Sequence, residues 1–247
     1  MRTKTLLLAA AALAAGLFNS QAQTPVYSQN IVGYANIPFP SATYTLMANP
    51  LNYDNTNIAT TILPSFMISS PGNDNQYDDF QVITFVGGHY VGYTYDQDAG
   101  WEDFSGSFSV TPPVLAPGQG FFINNPGAST NITFTGTVTP GPGGTNTLLL
   151  PSASYALIAS PLPEAGALNN NTNLNFPLQD LGQTYILTFV GGHYTGYTYD
   201  TSVNPTTGWC DFSDSVAVPT PTFSVGQAFF YLNAGNPTNW VQTLNSN

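Results

Sequence analysis

Two histidines, His89 and His193, follow identical Gly-Gly pairs in the two halves of a 247-residue chain. Imidazole titrates near neutral pH and ligates metals. Neither has a second His or Cys at ligand spacing, so each reads as a hydrogen-bonded turn residue. The run Asp96-Gln97-Asp98-Ala99-Gly100-Trp101-Glu102-Asp103 gathers oxygen ligands around a glycine. An EF-hand calcium loop needs a third ligand before its glycine and a bidentate Glu six residues after it. Ala99 and Gly106 hold those places, and the second half spreads Asp200, Asn204 and Asp211 over a longer loop. Turn-forming Asp side chains are the plainer reading.

Asp103 and Asp211 recur in the two halves, but hydrolysis by paired carboxylates needs two groups ~5 or ~6.5–9.5 Å apart in a cleft. No Ser/His/acid set accompanies them. Cys210, the single cysteine, has no internal disulfide partner and takes the place held by Glu102 in the first half. It reads as a small, partly buried residue. The residues therefore predict a non-enzyme with no catalytic group, no cofactor and no metal.

The aromatic rows stand out most. Tyr90, Tyr93, Tyr95 and Trp101 recur as Tyr194, Tyr197, Tyr199 and Trp209. Ring faces stack on sugars while nearby Asn, Gln and Asp bond hydroxyls, and two such sites would give avidity. The competing reading makes most of these rings core.

Composition narrows the partners. Charged residues are 6% of the chain against 13% aromatic and 42% hydrophobic, with 23 Gly and 20 Pro. An average soluble domain is roughly a quarter charged. The apolar content still supplies a core, and turn formers interleaved with Thr, Tyr, Phe and Val predict an all-β chain. Arg2 and Lys4 precede an apolar run from Leu6 to Leu17 and then Ser20-Gln21-Ala22. This pattern is that of a signal peptide cleaved after Ala22, and the run is too short for a membrane span of ~20 residues. Past Lys4 there is no Lys or Arg, against 13 carboxylates in the whole chain. Nucleic acid and anionic lipid surfaces are disfavoured; basic partners, cations and neutral polymers remain. Carboxylates without cationic partners would repel one another, predicting stability that falls as pH rises through ~4–6. Backbone N–H groups holding the carboxylates would work the other way.

An internal repeat organises the chain. Residues 85–96, FVGGHYVGYTYD, match 189–200, FVGGHYTGYTYD, in eleven of twelve positions. Pro40-Ser41-Ala42 matches Pro151-Ser152-Ala153, Asp103-Phe104-Ser105 matches Asp211-Phe212-Ser213, and Phe121-Phe122 matches Phe229-Phe230. The expected organisation is a signal peptide (1–22), an extra N-terminal strand plus repeat 1 (23–138), a Pro/Gly hinge (139–147) and repeat 2 (148–247). Each copy of ~105 residues is expected to be an antiparallel β-sandwich or barrel-like unit, the pair arranged with pseudo-two-fold symmetry. Gly87-Gly88 suits a primed two-residue turn. That turn sets Val86 opposite His89, Phe85 opposite Tyr90 and Ile83 opposite Gly92, with aromatics on both faces. Pro117-Gly118 reads as a type II turn entering a buried strand, and Asn131 to Val138 as a half-buried strand. One short helix is expected near Ile58 to Leu63, capped by Asn55 or Asn57, with Asn173 to Leu181 a weaker counterpart. Val26 to Ile37 has no evident counterpart in repeat 2. It is expected to close its own sheet, cross to repeat 2, or add to a neighbouring molecule in self-assembly.

Asn49-Pro50-Leu51, Gly92-Tyr93 and Pro117 to Ile123 resemble the N-P-L, G-x-Y and P-G-x-G-F-F-I motifs of exported bacterial β-repeat domains. Ser160, Val225 and Ala228 depart from that pattern in the second half. The resemblance implies secretion and a β fold, and carries no catalytic residues. Together these readings predict a secreted, non-catalytic structural or interaction protein of the cell envelope or extracellular matrix, periplasmic or extracellular. The alternative is a carbohydrate-binding module for a neutral polysaccharide, and the third reading is calcium-dependent adhesion.

Overall fold

The computed structural model describes residues 31–68, 80–96, 98–107, 109–169 and 174–244. The expected signal peptide and residues 26–30 of the N-terminal segment lie outside them. The described chain is all-β, with several antiparallel sheets.

In the first half, β2 (Tyr44–Ala48), β3 (Phe80–Val86), β4 (His89–Asp96), β5 (Gly100–Asp103) and β6 (Gly120–Asn124) form a five-stranded sheet in the order β2-β6-β3-β4-β5. In the second, β9 (Tyr155–Ala159), β11 (Thr184–Val190), β12 (His193–Tyr199), β13 (Trp209–Asp211) and β15 (Ala228–Asn233) take the order β9-β15-β11-β12-β13. Strands matched in sequence hold matched places. The Gly-Gly hairpin has the register its turn requires, with Val86 opposite His89, Phe85 opposite Tyr90 and Ile83 opposite Gly92. Gly87 and Gly88 both have positive φ, as a primed turn needs.

Each sheet is covered on one face by a two-stranded ribbon. β1 (Ile31–Phe39) pairs with β7 (Thr130–Val138), and β8 (Thr145–Leu150) pairs with β16 (Thr238–Thr243). Under the first ribbon Phe39, Phe80, Trp101, Phe121 and Phe134 form one core. Under the second, Phe176, Trp209, Phe229, Tyr231 and Trp240 form another. The alternation predicted for Asn131 to Val138 is present: Ile132, Phe134 and Val138 are buried while Thr133 and Thr135 are exposed.

The N-terminal strand therefore does have a counterpart. β8 precedes Pro151-Ser152-Ala153 as β1 precedes Pro40-Ser41-Ala42, and its apolar Leu148 and Leu150 carry too little sequence likeness to reveal it. The expected hinge over 139–147 contains a tight turn at Pro142–Gly144 and the first residues of β8. Within the described residues, 31–37 closes onto β7 of its own half.

The short helix α1 (Ala59–Ile62) is present, but no side chain caps it. Asn57 is drawn into the interior instead. Its Oδ1 accepts from Tyr53 N at 2.9 Å and its Nδ2 donates to Asn52 Oδ1 at 2.7 Å. A buried amide with several partners is worth more here than one cap bond. Residues 174–181 of the weaker counterpart are not helical; Leu174 and Phe176 enter the second core, and Asn173 lies outside the described residues.

The two five-stranded sheets meet on their remaining faces. Leu46, Ala48 and Phe122 from one pack with Leu157, Ala159, Ala228 and Phe230 from the other. The contacts are reciprocal: Ala48 N donates to Gly226 O at 2.8 Å, and Ala159 N to Gly118 O at 3.0 Å. Each half thus supplies a turn that covers the outer edge of the other half's sheet. Strands with no lysine among the described residues to blunt their edges need such cover.

Candidate functional site: twin aromatic clefts between the sheets

The hairpins β3–β4 and β11–β12 carry their turns to the rim of the interface between the sheets. Strand alternation puts Ile83 and Phe85, with their partners Leu187 and Phe189, on the inter-sheet face, and Phe80 and Val82 in the first core. Tyr90 and Tyr194 follow Phe85 and Phe189 onto that face and remain 56% and 51% exposed. Tyr194 titrates above the ordinary phenol range, first because its hydroxyl is desolvated and then because the Tyr90 hydroxyl lies beside it.

A cleft opens on either side of this tyrosine pair. The first, of about 430 Å³, has walls from Tyr44, Phe104 and Phe122 of the first half and Phe189 of the second. The other, of about 300 Å³, has walls from Phe85, Tyr155 and Phe230. Tyr90 and Tyr194 line both. The rings stand at steep angles. Phe122 meets Phe189 at 82°, Phe85 meets Phe230 at 87°, and Tyr90 meets Phe122 at 61°. Tyr44 donates its hydroxyl to Gln81 Oε1.

Phe104 reaches the first cleft because Gly92 has no side chain. A Cβ on Gly92 would fall within the Phe104 ring, and one on Gly196 would overlap Phe212 in the same way. The residue before each phenylalanine fixes the turn that presents it. Asp103 Oδ1 accepts from Ser105 N at 2.9 Å and Ser107 N at 3.1 Å. Asp211 Oδ1 accepts from Ser215 N at 2.8 Å and Val216 N at 2.9 Å. The recurring carboxylates are accounted for by these turns.

The eight aromatic residues singled out in the sequence divide between two faces. Only Tyr90 and Tyr194 reach the clefts. Tyr93 and Tyr95 pack partly buried against the first core, and Tyr197 and Tyr199 against the second. Trp101 is 5% exposed and Trp209 fully buried, so neither offers a face to a ligand. Trp101 Nε1 donates to Thr60 Oγ1 at 2.9 Å, which places it in the core that α1 closes. The shared alternation of β4 and β12 sends Tyr93 and Tyr95 away from Tyr90 by an odd number of residues.

Sequence reasoning missed Tyr44, Phe104, Phe122, Tyr155 and Phe230. The signal was available in the matched motifs that contain or adjoin them, but the approach of two sheets was needed to bring them together.

The histidines sit exposed at the hairpin turns. Asp96 Oδ1 accepts from Asp98 N and Ala99 N, both at 2.7 Å, and Asp200 Oδ1 from Ser202 N at 2.7 Å. These are turn hydrogen bonds. Among the described residues no three His, Cys, Asp or Glu side chains gather as a metal site would require. Cys210 is buried, its thiol raised by burial and then by the charge of Asp214. No helix among the described residues is long and apolar enough to cross a membrane.

At five carboxylates local hydrogen bonds run against the pH expectation. Asp54, Asp103, Asp180, Asp200 and Asp211 are all held below their ordinary range, in each case first by a Ser or Thr hydroxyl; for Asp211 the value is about 2. Asp214 goes the other way, raised by burial and then by Asp200. Local hydrogen bonds outweigh repulsion between solvated charges, because the bonds are short and the charges are screened.

No family model matches the chain, and no curated protein or solved structure shows significant similarity to it.

Proposed function

We propose that this chain is an exported, non-catalytic interaction protein of the cell envelope or extracellular matrix, and that it makes contact through the paired aromatic clefts. The observation that carries the reading is the Tyr90–Tyr194 pair. Two half-exposed rings from separate hairpins meet where two sheets join, with an apolar cleft on each side. Exposed aromatics gathered in concave surfaces mark binding sites. The repeated carboxylates are engaged in turns, which supports a role without acid–base chemistry.

Export is supported by Arg2 and Lys4, the apolar run and the small residues up to Ala22. Tandem duplication with pseudo-two-fold symmetry belongs to the same proposal, supported by the matched strand orders and the reciprocal edge hydrogen bonds. The likeness to exported β-repeat domains gains physical sense from its departures. Buried Asn49 donates to Leu115 O at 3.1 Å, whereas Ser160 in its place donates to Gln242 Oε1 at 2.8 Å.

Fractionation of cells that make the protein, with intact-mass measurement, tests export: the product should lie outside the cytoplasm and begin at Gln23. Retention of purified protein on an envelope or matrix fraction should be lost in Tyr90→Ala plus Tyr194→Ala while the variant still unfolds cooperatively. Undiminished retention would count against the clefts as the contact surface.

A further inference from the structure

We propose that the twin clefts are binding sites for methylated ammonium head groups, the class that includes choline and trimethylated amines. The inference rests on the reading of the clefts as the contact surface and adds the chemistry of what enters them.

Three observations converge. First, the walls are ring faces and edges at 57–87°, as between Tyr194 and Phe230 and between Phe85 and Phe230. A sugar stacks flat on an open platform, whereas steep walls form a box in which a compact, rounded group touches several rings at once. Second, the linings are almost wholly apolar: the only polar side-chain groups are the hydroxyls of Tyr44, Tyr90, Tyr155 and Tyr194, and that of Tyr44 already donates to Gln81. The site offers π-faces more than donors, so a hydroxyl-rich ligand would lose water without replacement. Third, the chain carries 13 Asp and Glu, and none of its described residues is Lys or Arg. Its field attracts cations and repels anions.

A primary ammonium would also be drawn in, but its three N–H donors would find only a few tyrosine hydroxyl oxygens to accept them in otherwise apolar walls. A methylated ammonium is weakly hydrated, has no such donors, and draws on the negative face of each ring. The volumes of about 430 and 300 Å³ admit such a head group with its mouth-side substituent still in solvent.

Isothermal titration of the full exported chain with choline chloride tests the proposal, using 3,3-dimethyl-1-butanol as the neutral isostere and maltohexaose as the sugar probe. Choline should bind, and the isostere should bind about tenfold or more weakly, the scale on which desolvated cation–π contacts act. Tyr90→Ala, at a half-exposed position shared by both clefts, should weaken choline by about tenfold or more while the variant still unfolds cooperatively. Tyr90→Phe should retain binding, since the ring and not the hydroxyl is required. Equal binding of choline and isostere would reduce the clefts to apolar pockets and overturn the proposal. So would choline binding unaffected by Tyr90→Ala plus Tyr194→Ala, or no binding of choline at all. Absence of choline binding, together with either maltohexaose binding or loss of envelope retention in the tyrosine variants, would overturn this inference while leaving the contact-surface reading standing. Failure of both retention and titration would sink the two together.

Discussion

At the residue scale, the carboxylates are fastened by their own turns. Asp103 and Asp211 each accept a Ser hydroxyl and backbone N–H groups, and Asp54 and Asp200 accept from Thr56 and Ser202 in the same manner. A carboxylate whose folded pKa lies below its unfolded value near 3.8 stabilises the fold above that value, and the contribution is lost as pH falls through the folded pKa. Five groups shift this way, and only Asp214, among those with a resolved shift, opposes them. Thermal melts should therefore be highest above about pH 5 and decline toward pH 2, with Asp211 protonating last, near 2. A melting temperature that rises on acidification from pH 5 to 3 would show that charge repulsion dominates after all. The Asp-Phe-Ser repeats were legible in the sequence, yet the sign of their effect was not, because it depends on which N–H groups the carboxylate reaches.

At the scale of elements, the hairpins were the most legible part of the fold. Gly-Gly fixes the turn, the turn fixes the register, and period-two alternation then assigns every side chain to a face. What alternation could not reveal is that Gly92 and Gly196 are seats for Phe104 and Phe212 from the next loop. Gly92→Ala should displace the Phe104 ring and destabilise the protein by about 1–3 kcal/mol, the usual cost of forcing extra volume into a packed contact. Denaturant titration of Gly92→Ala, Phe104→Ala and the double variant checks this: the double should lose clearly less than the sum of the singles. Additivity would mean that the glycine is present for backbone reasons alone. The ribbon strand β8 was the element hardest to read, because equivalent places in a ribbon require only alternate apolar residues and not particular ones.

At the scale of the whole molecule, the interface between the sheets explains an asymmetry between otherwise matched halves. Gly120 in the P-G-x-G-F-F-I motif corresponds to Ala228, and these two face each other: a Cβ on Gly120 would lie 2.7 Å from that of Ala228 and 2.9 Å from Leu157 Cγ. Only one of the pair can carry a methyl group. Gly120→Ala should therefore cost about 1–3 kcal/mol, and adding Ala228→Gly should recover part of it. Calorimetric melting of both variants decides the matter; a double variant less stable than Gly120→Ala alone would remove the steric account. The departure at 228, visible in the sequence as an unexplained change, thus gains its reason from contact between halves.

The sequence by itself determined the all-β class, the repeated hairpins, their register, and the exclusion of cationic chemistry past Lys4, because turn preferences, strand periodicity and charge are local or additive properties. Only the tertiary structure decided which aromatic rings are core and which form a site. Trp101 and Trp209 vanish under the ribbons, while Tyr90, Tyr194 and five phenylalanines converge from both halves. Burial depends on what packs over a face, and that is set by residues distant along the chain.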